Sequence, residues 1–292
     1  MLLSTGLMAR GRLGAPEMLA AIGQAAEEAG LPRVWFGDHV VYPVDYAPNY
    51  PSPSGRLNYN PASSQIDVVV AMSWLCASTS TVGVGTSVMV VAQRQLVWLA
   101  KQLASLDAMS GGRLTLGIGV GWCGEEFESL GVPFEHRGSR TDEYVRAMQV
   151  LWTEEVPAFS GRFVSFPPLY CNPKPAQAGG PPIWVGGGGK AAFERVARYG
   201  AGWVAGGAPP DELARDIVAI RRRAAELGRE DADDIGLLVQ GVWRPDRDDL
   251  RRHLRDLRAA GVTEAVVPVQ GKTPAEARDF VLSIPELLDG SA

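Results

Sequence analysis

Lysine is scarce in this 292-residue chain. Only four are present, at 101, 174, 190 and 272, and the net charge is −5. A protein that tracked a phosphate backbone or an anionic membrane surface would need a basic patch, so partnership with nucleic acid or a membrane is not expected. Cysteine is scarcer still: Cys76, Cys123 and Cys171 are odd in number, far apart and never spaced C-x-x-C. That argues against a disulfide framework and against a zinc site, and no metal centre is expected. No apolar run is long enough to span a bilayer, and the start, Met1–Met8, lacks the basic segment of a secretory signal and reads as a strand. The cytoplasm is the expected compartment.

What the chain has is regular alternation. Short apolar runs at Leu2–Leu7, Arg33–His39, Thr81–Val91, Arg113–Trp122, Ile183–Val185, around Val204, Ile235–Val242 and Glu264–Val269 alternate with segments of helical period. Those segments are Pro16–Gly30, Gln65–Ser78, Gln95–Ser110, Ser139–Glu154, one beginning near Lys190, Pro210–Gly228, Arg247–Gly261 and Pro274–Leu288. Such alternation demands a parallel sheet with crossover helices, and eight units favour a closed (β/α)8 barrel over an open doubly wound sheet. No linker or change of composition divides residues 1–292, so one domain is expected. Arg221–Arg223 reads as the solvated face of a helix, and Phe159–Ala178 as a proline-rich connection able to hold a small hairpin.

Barrels carry their sites on the loops after the strands, so the residues that end strands deserve the closest reading. The second strand ends in Asp38-His39. His39 alone of three histidines falls at a strand end, and an imidazole can take or give a proton near neutral pH. Asp38 could orient it or bind a ligand N–H. A long segment from Tyr42 to Ser64 follows, rich in Pro, Tyr, Asn and Ser, and reads either as a lid or as a surface insertion. Its Tyr42, Tyr46, Tyr50 and Tyr59 suit an aromatic-lined pocket. The third strand ends with Thr86-Ser87-Val88, and the fourth is laced with glycines and ends with Val120-Gly121-Trp122. Glycines in a strand imply close backbone approach by something. The fifth ends in Gly186-Gly187-Gly188-Gly189 ahead of a helix. That turn reads either as a tight structural turn or as an anion site, where bare amides and a helix N-terminus face a phosphate beside Lys190. Lys272, past the last strand, could form a Schiff base but reads more readily as a solvated lysine; a lyase acting on a sugar phosphate is the corresponding non-redox reading.

Taken jointly, Val34–Pro43, Val84–Val90, Leu106–Trp122, Glu125–Pro133, Arg137–Tyr144 and Pro181–Trp203 resemble the luciferase-like flavin and deazaflavin oxidoreductases, in particular the bacterial branch that uses coenzyme F420. The resemblance runs nearly the whole chain. It implies a luciferase-like (β/α)8 TIM barrel with an insertion at 42–64 over the barrel mouth, and a deazaflavin lying across that mouth with its phosphate on Gly186–Gly189. It implies that Asp38 contacts the cofactor, that His39 is the catalytic acid or base, and that Thr86, Ser87 and Val88 support the ring, with a cis peptide between Ser87 and Val88. Val120 and Gly121 would lie close to the ring, and Tyr42 and Trp122 near a small-molecule substrate. The implied reaction is hydride transfer with an alcohol, a carbonyl or an activated double bond, in a homodimer. The alternative is an FMN-dependent monooxygenase of the same family. A groove with Arg137, Arg140 or Lys174 nearby would favour the longer, anionic deazaflavin. The chain departs from the sugar- and alcohol-oxidising pattern at Pro43, where a tryptophan is expected, and at Trp122, where a glutamate is expected. Glu125 and Glu126 either substitute for that carboxylate or form the first turn of a short helix.

Overall fold

A computed structural model of the chain describes residues 1–50, 54–56, 60 and 62–288. Eight strands form its centre: β1 (Leu2–Leu7), β2 (Arg33–Phe36), β3 (Gly83–Thr86), β4 (Leu114–Gly119), β5 (Ile183–Gly186), β6 (Gly202–Ala205), β7 (Gly236–Val239) and β8 (Glu264–Pro268). Each pairs in parallel with its neighbours in sequence, from Thr5 opposite Val34 through Val84 opposite Leu114 to Trp184 opposite Gly202. The ring closes where Leu2 of β1 lies opposite Glu264 of β8. The expected (β/α)8 barrel is therefore the observed fold.

Nine α-helices are present among the described residues: α1 (Pro16–Glu28), α2 (Val68–Ala77), α3 (Leu96–Ser110), α4 (Gly124–Ser129), α5 (Arg137–Thr153), α6 (Lys190–Tyr199), α7 (Pro210–Glu226), α8 (Arg247–Ala259) and α9 (Pro274–Leu282). The short α4 is the one that periodicity did not resolve, because six residues are too few to show it. The first strand has the expected bounds and the fifth gains one residue, while most of the others end one to three residues earlier than expected, where the barrel hands over to loops, and the third stops at Thr86, five residues short of the expected Val91. The small hairpin is Phe159–Ser160 paired with Ser165–Phe166. Helix starts follow local chemistry: Asp67 accepts the Val69 and Val70 N–H groups ahead of α2, and Asp246 accepts the Asp249 N–H at the start of α8.

Successive side chains of one strand serve two cores, because they point to opposite faces. Val34 and Phe36 face the helices in the large outer core, while Trp35 between them joins Val204, Leu238 and Val266 inside the barrel, with Val88 and Trp184 packed against them. Trp35 is wholly buried and meets Trp184 edge to face at 6.0 Å. Each indole removes on the order of 200 Å² from water, a gross stabilisation of about 5 kcal/mol. The Trp35 indole N–H donates to Glu264, which also accepts from Ser4 and Arg33. Glu264 opens β8, so this buried polar cluster lies at the N-terminal end of the barrel. Nothing predicted for the site lies there.

Candidate active site at the C-terminal end of the strands

Because all eight strands are parallel, the residues that follow β2, β3, β4 and β5 emerge at the same end. The chain after β3 forms a bulge rather than continuing the strand. Ser87 donates its N–H to the Phe36 carbonyl (2.7 Å), the Ser87–Val88 peptide is cis, and Met89–Val90 then resumes pairing beside β4. The glycines of β4 exist for this bulge. A Cβ on Gly117 would stand 1.9 Å from the Thr86 carbonyl oxygen, and one on Gly119 would stand 2.6 Å from the Val88 side chain. The close approach expected from those glycines is thus made by the chain itself, sealed by a hydrogen bond from Thr86 Oγ1 to the Gly117 carbonyl. Val88 also packs against Gly186, which links the bulge to the end of β5.

Asp38 and His39 lie just past β2, and each has a fixed partner. Arg94 donates to Asp38 Oδ1 (2.8 Å) and the Val90 N–H to Oδ2 (3.3 Å), so Asp38 ties β2 to the chain after the bulge. His39 Nδ1 lies 2.9 Å from Glu126 Oε2, and Glu126 Oε1 accepts the N–H groups of Val40 (2.8 Å) and Val41 (3.4 Å). Glu126 is 2% exposed, on α4. Burial pushes its carboxyl upward, but His39, the Val40 amide and the nearby Gln93 side chain more than offset this, and the net displacement is below the ordinary value. Gln65 binds both ends of the next stretch: its amide donates to the His39 carbonyl, and its oxygen accepts the Tyr42 hydroxyl (2.6 Å).

An aromatic cluster stands over this pair. The Tyr42 and His39 ring centroids lie 4.8 Å apart, and Trp122 makes T-shaped contacts with His39, Tyr46 and Tyr50 at centroid distances of 5.8, 5.5 and 5.2 Å. Three of the four tyrosines expected to line a pocket therefore gather near His39, and Tyr59 lies outside the described residues. Glu125 is separate in role from Glu126. Its Oε1 accepts the Ala47 N–H (2.7 Å), and it borders a cavity of about 610 Å³ with Asn49, Glu128, Phe134 and Glu135. Cys123 beside it is buried. Burial, opposed by a hydrogen bond from the Glu126 amide and reinforced by Glu125, pushes its thiol up to about 11.

The turn after β5 is open. Gly187 (φ 111°) and Gly189 (φ 80°) adopt left-handed backbone, Gly188 has no atom within 4 Å of where its Cβ would be, and all three are exposed. Helix α6 begins at Lys190 without a side-chain cap and without an acidic residue in its first turn. Of the three cations expected to flank a groove, two are committed to the fold. Arg140 donates to the Pro133 and Glu135 carbonyls, and Lys174 to those of Leu151 and Glu154 at the end of α5. Arg137 uses only its Nε, on the Gly121 carbonyl, and lies over Phe134. His136 is the N-cap of α5, with its ring against Phe163, and His253 lies on α8. Glu126 was one of two open readings in the sequence; Gln65 and Arg94 carried no signal, being ordinary polar residues beside helix starts.

The model of the luciferase-like monooxygenase family matches residues 1–281, and the chain belongs to that family. An uncharacterized protein of Mycobacterium tuberculosis (strain H37Rv) is 33% identical over 253 residues, covering 84% of this chain and 83% of that protein. An F420-dependent glucose-6-phosphate dehydrogenase of Kineococcus radiotolerans is 31% identical over 206 residues, 69% of this chain and 56% of that protein. The FMNH2-dependent dimethylsulfone monooxygenase of Pseudomonas putida is 32% identical over 170 residues, 57% of this chain and 46% of that protein. Among solved structures, monooxygenase RslO1 from Streptomyces bottropensis matches with a TM-score of 0.80 at 21% identity over the whole of both chains. An F420-dependent secondary alcohol dehydrogenase, in complex with an F420–acetone adduct, matches with a TM-score of 0.80 at 16% identity over 99% of both. Both F420-dependent and FMNH2-dependent enzymes are thus among the proteins this chain resembles. No helix among the described residues is long and apolar enough to cross a membrane.

Proposed function

We propose that the protein is a coenzyme F420-dependent oxidoreductase that transfers a hydride between the deazaflavin and a small organic substrate, either an alcohol–carbonyl pair or an activated double bond. The observation that carries this reading is the imidazole of His39, held by a buried carboxylate beside the aromatic cluster, because hydride transfer to or from an alcohol carbon requires a proton to move at the oxygen. When bound, a deazaflavin supplies the carbon that accepts or donates the hydride.

The residues present fit such a group. Gly187, Gly188 and Gly189 leave space where side chains would stand, and the uncapped amides of α6 with Lys190 suit a phosphate. Thr86, Ser87 and Val88 would lie beneath the ring system, Val120 and Gly121 along its edge, and Asp38 beside it. In the oxidising direction His39 takes the hydroxyl proton; in the reducing direction it returns that proton to oxygen. Tyr42 and Trp122 would contact the substrate and, with Tyr46 and Tyr50, exclude water.

A second reading, an FMN-dependent monooxygenase, is favoured by one observation. With Arg140 and Lys174 spent on backbone carbonyls, only Arg137 remains of the three cations expected near an anionic deazaflavin tail, whereas a mononucleotide needs only the phosphate turn. Titration of the protein with oxidised F420 and separately with FMN, followed by quenching of ligand fluorescence, decides between them. Micromolar binding of F420 alone supports the first reading; tight binding of FMN alone replaces it with the second. We place the protein in the cytoplasm, which suits three free, buried thiols, and as a homodimer through the outer face of α2 and α3, where Trp74, Trp98 and Met109 are exposed.

A further inference from the structure

We infer that Glu126 is a positioning residue that holds His39 as its Nδ1–H tautomer, and so assigns proton transfer to Nε2. The inference deepens the proposed function, but its central test requires no cofactor. Backbone amides can only donate, so Glu126 Oε1 is occupied as an acceptor by Val40 and Val41. An ionised carboxylate has no proton to offer, so the hydrogen shared at 2.9 Å between Nδ1 and Oε2 belongs to the imidazole. In neutral His39 the lone pair then lies on Nε2, the reverse of the arrangement that a free imidazole prefers. The remaining freedoms are restrained as well: Gln65 holds the His39 carbonyl, and Tyr42 and Trp122 pack against the ring. Glu126 thus reaches His39 from the first turn of α4, four residues beyond Trp122.

Glu126→Gln separates a positioning role from a merely structural one. The carboxamide oxygen can still accept from Val40 and Val41, whereas its NH2 would face Nδ1 and force the proton to Nε2. Histidine-selective 15N labelling gives a simple spectrum, since the chain has three histidines. Ring-nitrogen shifts of His39 would be recorded without cofactor at about pH 8.5, two units above an ordinary histidine pKa. The expected result is pyrrole-like Nδ1 and pyridine-like Nε2 in the wild type, with the two exchanged in E126Q. With F420 and a turned-over substrate, E126Q should lose roughly tenfold or more in kcat, while KM and F420 affinity stay within about threefold. Glu126→Asp, which keeps an acceptor-only group, should retain the wild-type tautomer and serves if E126Q does not fold. A wild-type Nε2–H tautomer, the same tautomer in wild type and E126Q, or an exchanged tautomer with unchanged kcat each overturns the inference. If neither F420 nor FMN binds, the proposed function fails, and the tautomer spectra still decide the role of Glu126.

Discussion

Gly188 offers the cleanest perturbation of the proposed phosphate turn. Its neighbours Gly187 and Gly189 need positive φ, so a side chain there would strain the backbone and confuse folding with binding. Gly188 does not, and a Cβ on it meets nothing within 4 Å. Gly188→Asp should therefore leave folding stability unchanged or raise it slightly: exposed substitutions move it by about 0.5 kcal/mol, and an acid near a helix N-terminus gains about 0.3–1 kcal/mol. Its effect on an anion has the opposite sign. Two unit charges about 6 Å apart repel by about 0.7 kcal/mol at the dielectric of water and about 3 kcal/mol at an effective dielectric near 20. The exposed turn lies between these limits, so cofactor affinity should fall between roughly 3-fold and roughly 100-fold per unit of ligand charge. Fluorescence quenching gives the dissociation constant, and urea denaturation of the same samples gives the stability. The affinity loss should shrink in 1 M salt, where the Debye length falls to about 3 Å, and Gly188→Ala should show little of it. Unchanged affinity in a folded Gly188→Asp protein would refute the phosphate-turn reasoning.

Trp122→Ala removes three edge-to-face partners, worth about 0.5–1.5 kcal/mol each, and should expose the Tyr42–Tyr50 segment to limited proteolysis; an unchanged cleavage rate would count against the cluster as its anchor. Glu264→Ala strands the Arg33 guanidinium, the Trp35 indole and the Ser4 hydroxyl, and should cost about 3–5 kcal/mol in urea denaturation without changing the cofactor affinity of the folded protein, since the cluster lies at the far end of the barrel. The Cys123 thiol is raised by burial to about 11, so the stability it contributes as a neutral group is complete below the ordinary value of 9.0 and is lost as pH rises through about 11. The stability difference between wild type and Cys123→Ser should therefore narrow over that interval, and a constant difference would show that the thiol does not titrate there. Light scattering should give twice the 31.2 kDa chain mass, falling to one chain for Trp98→Glu; a wild-type monomer would end the dimer proposal.

The barrel was legible because its evidence is local. A buried strand such as Leu114–Gly119 is short and apolar, a crossover helix shows a helical period, and counting eight alternations needs no knowledge of contacts. The position of the candidate site was legible for the same reason: Asp38-His39 and Gly186–Gly189 stand at strand ends, and a parallel barrel brings all such ends to one side. Two kinds of fact were not local. Glu126 meets His39 across 87 positions of sequence, on a helix too short to show a period, and the Glu125-Glu126 pair looks symmetric until the fold turns one carboxylate inward to His39 and the other toward Ala47. The glycines of β4 and the cations Arg140 and Lys174 show the second kind. The glycines imply a close approach and the cations were expected beside a ligand groove, yet the partners are the chain's own atoms: the Thr86 carbonyl and the Val88 side chain for Gly117 and Gly119, and backbone carbonyls for Arg140 and Lys174. A residue type fixes what an atom can bind, while only the fold decides whether the protein has already bound it. Among the described residues of this site, the bare turn before α6 is where the fold leaves backbone amides without a side-chain cap or a crowding neighbour.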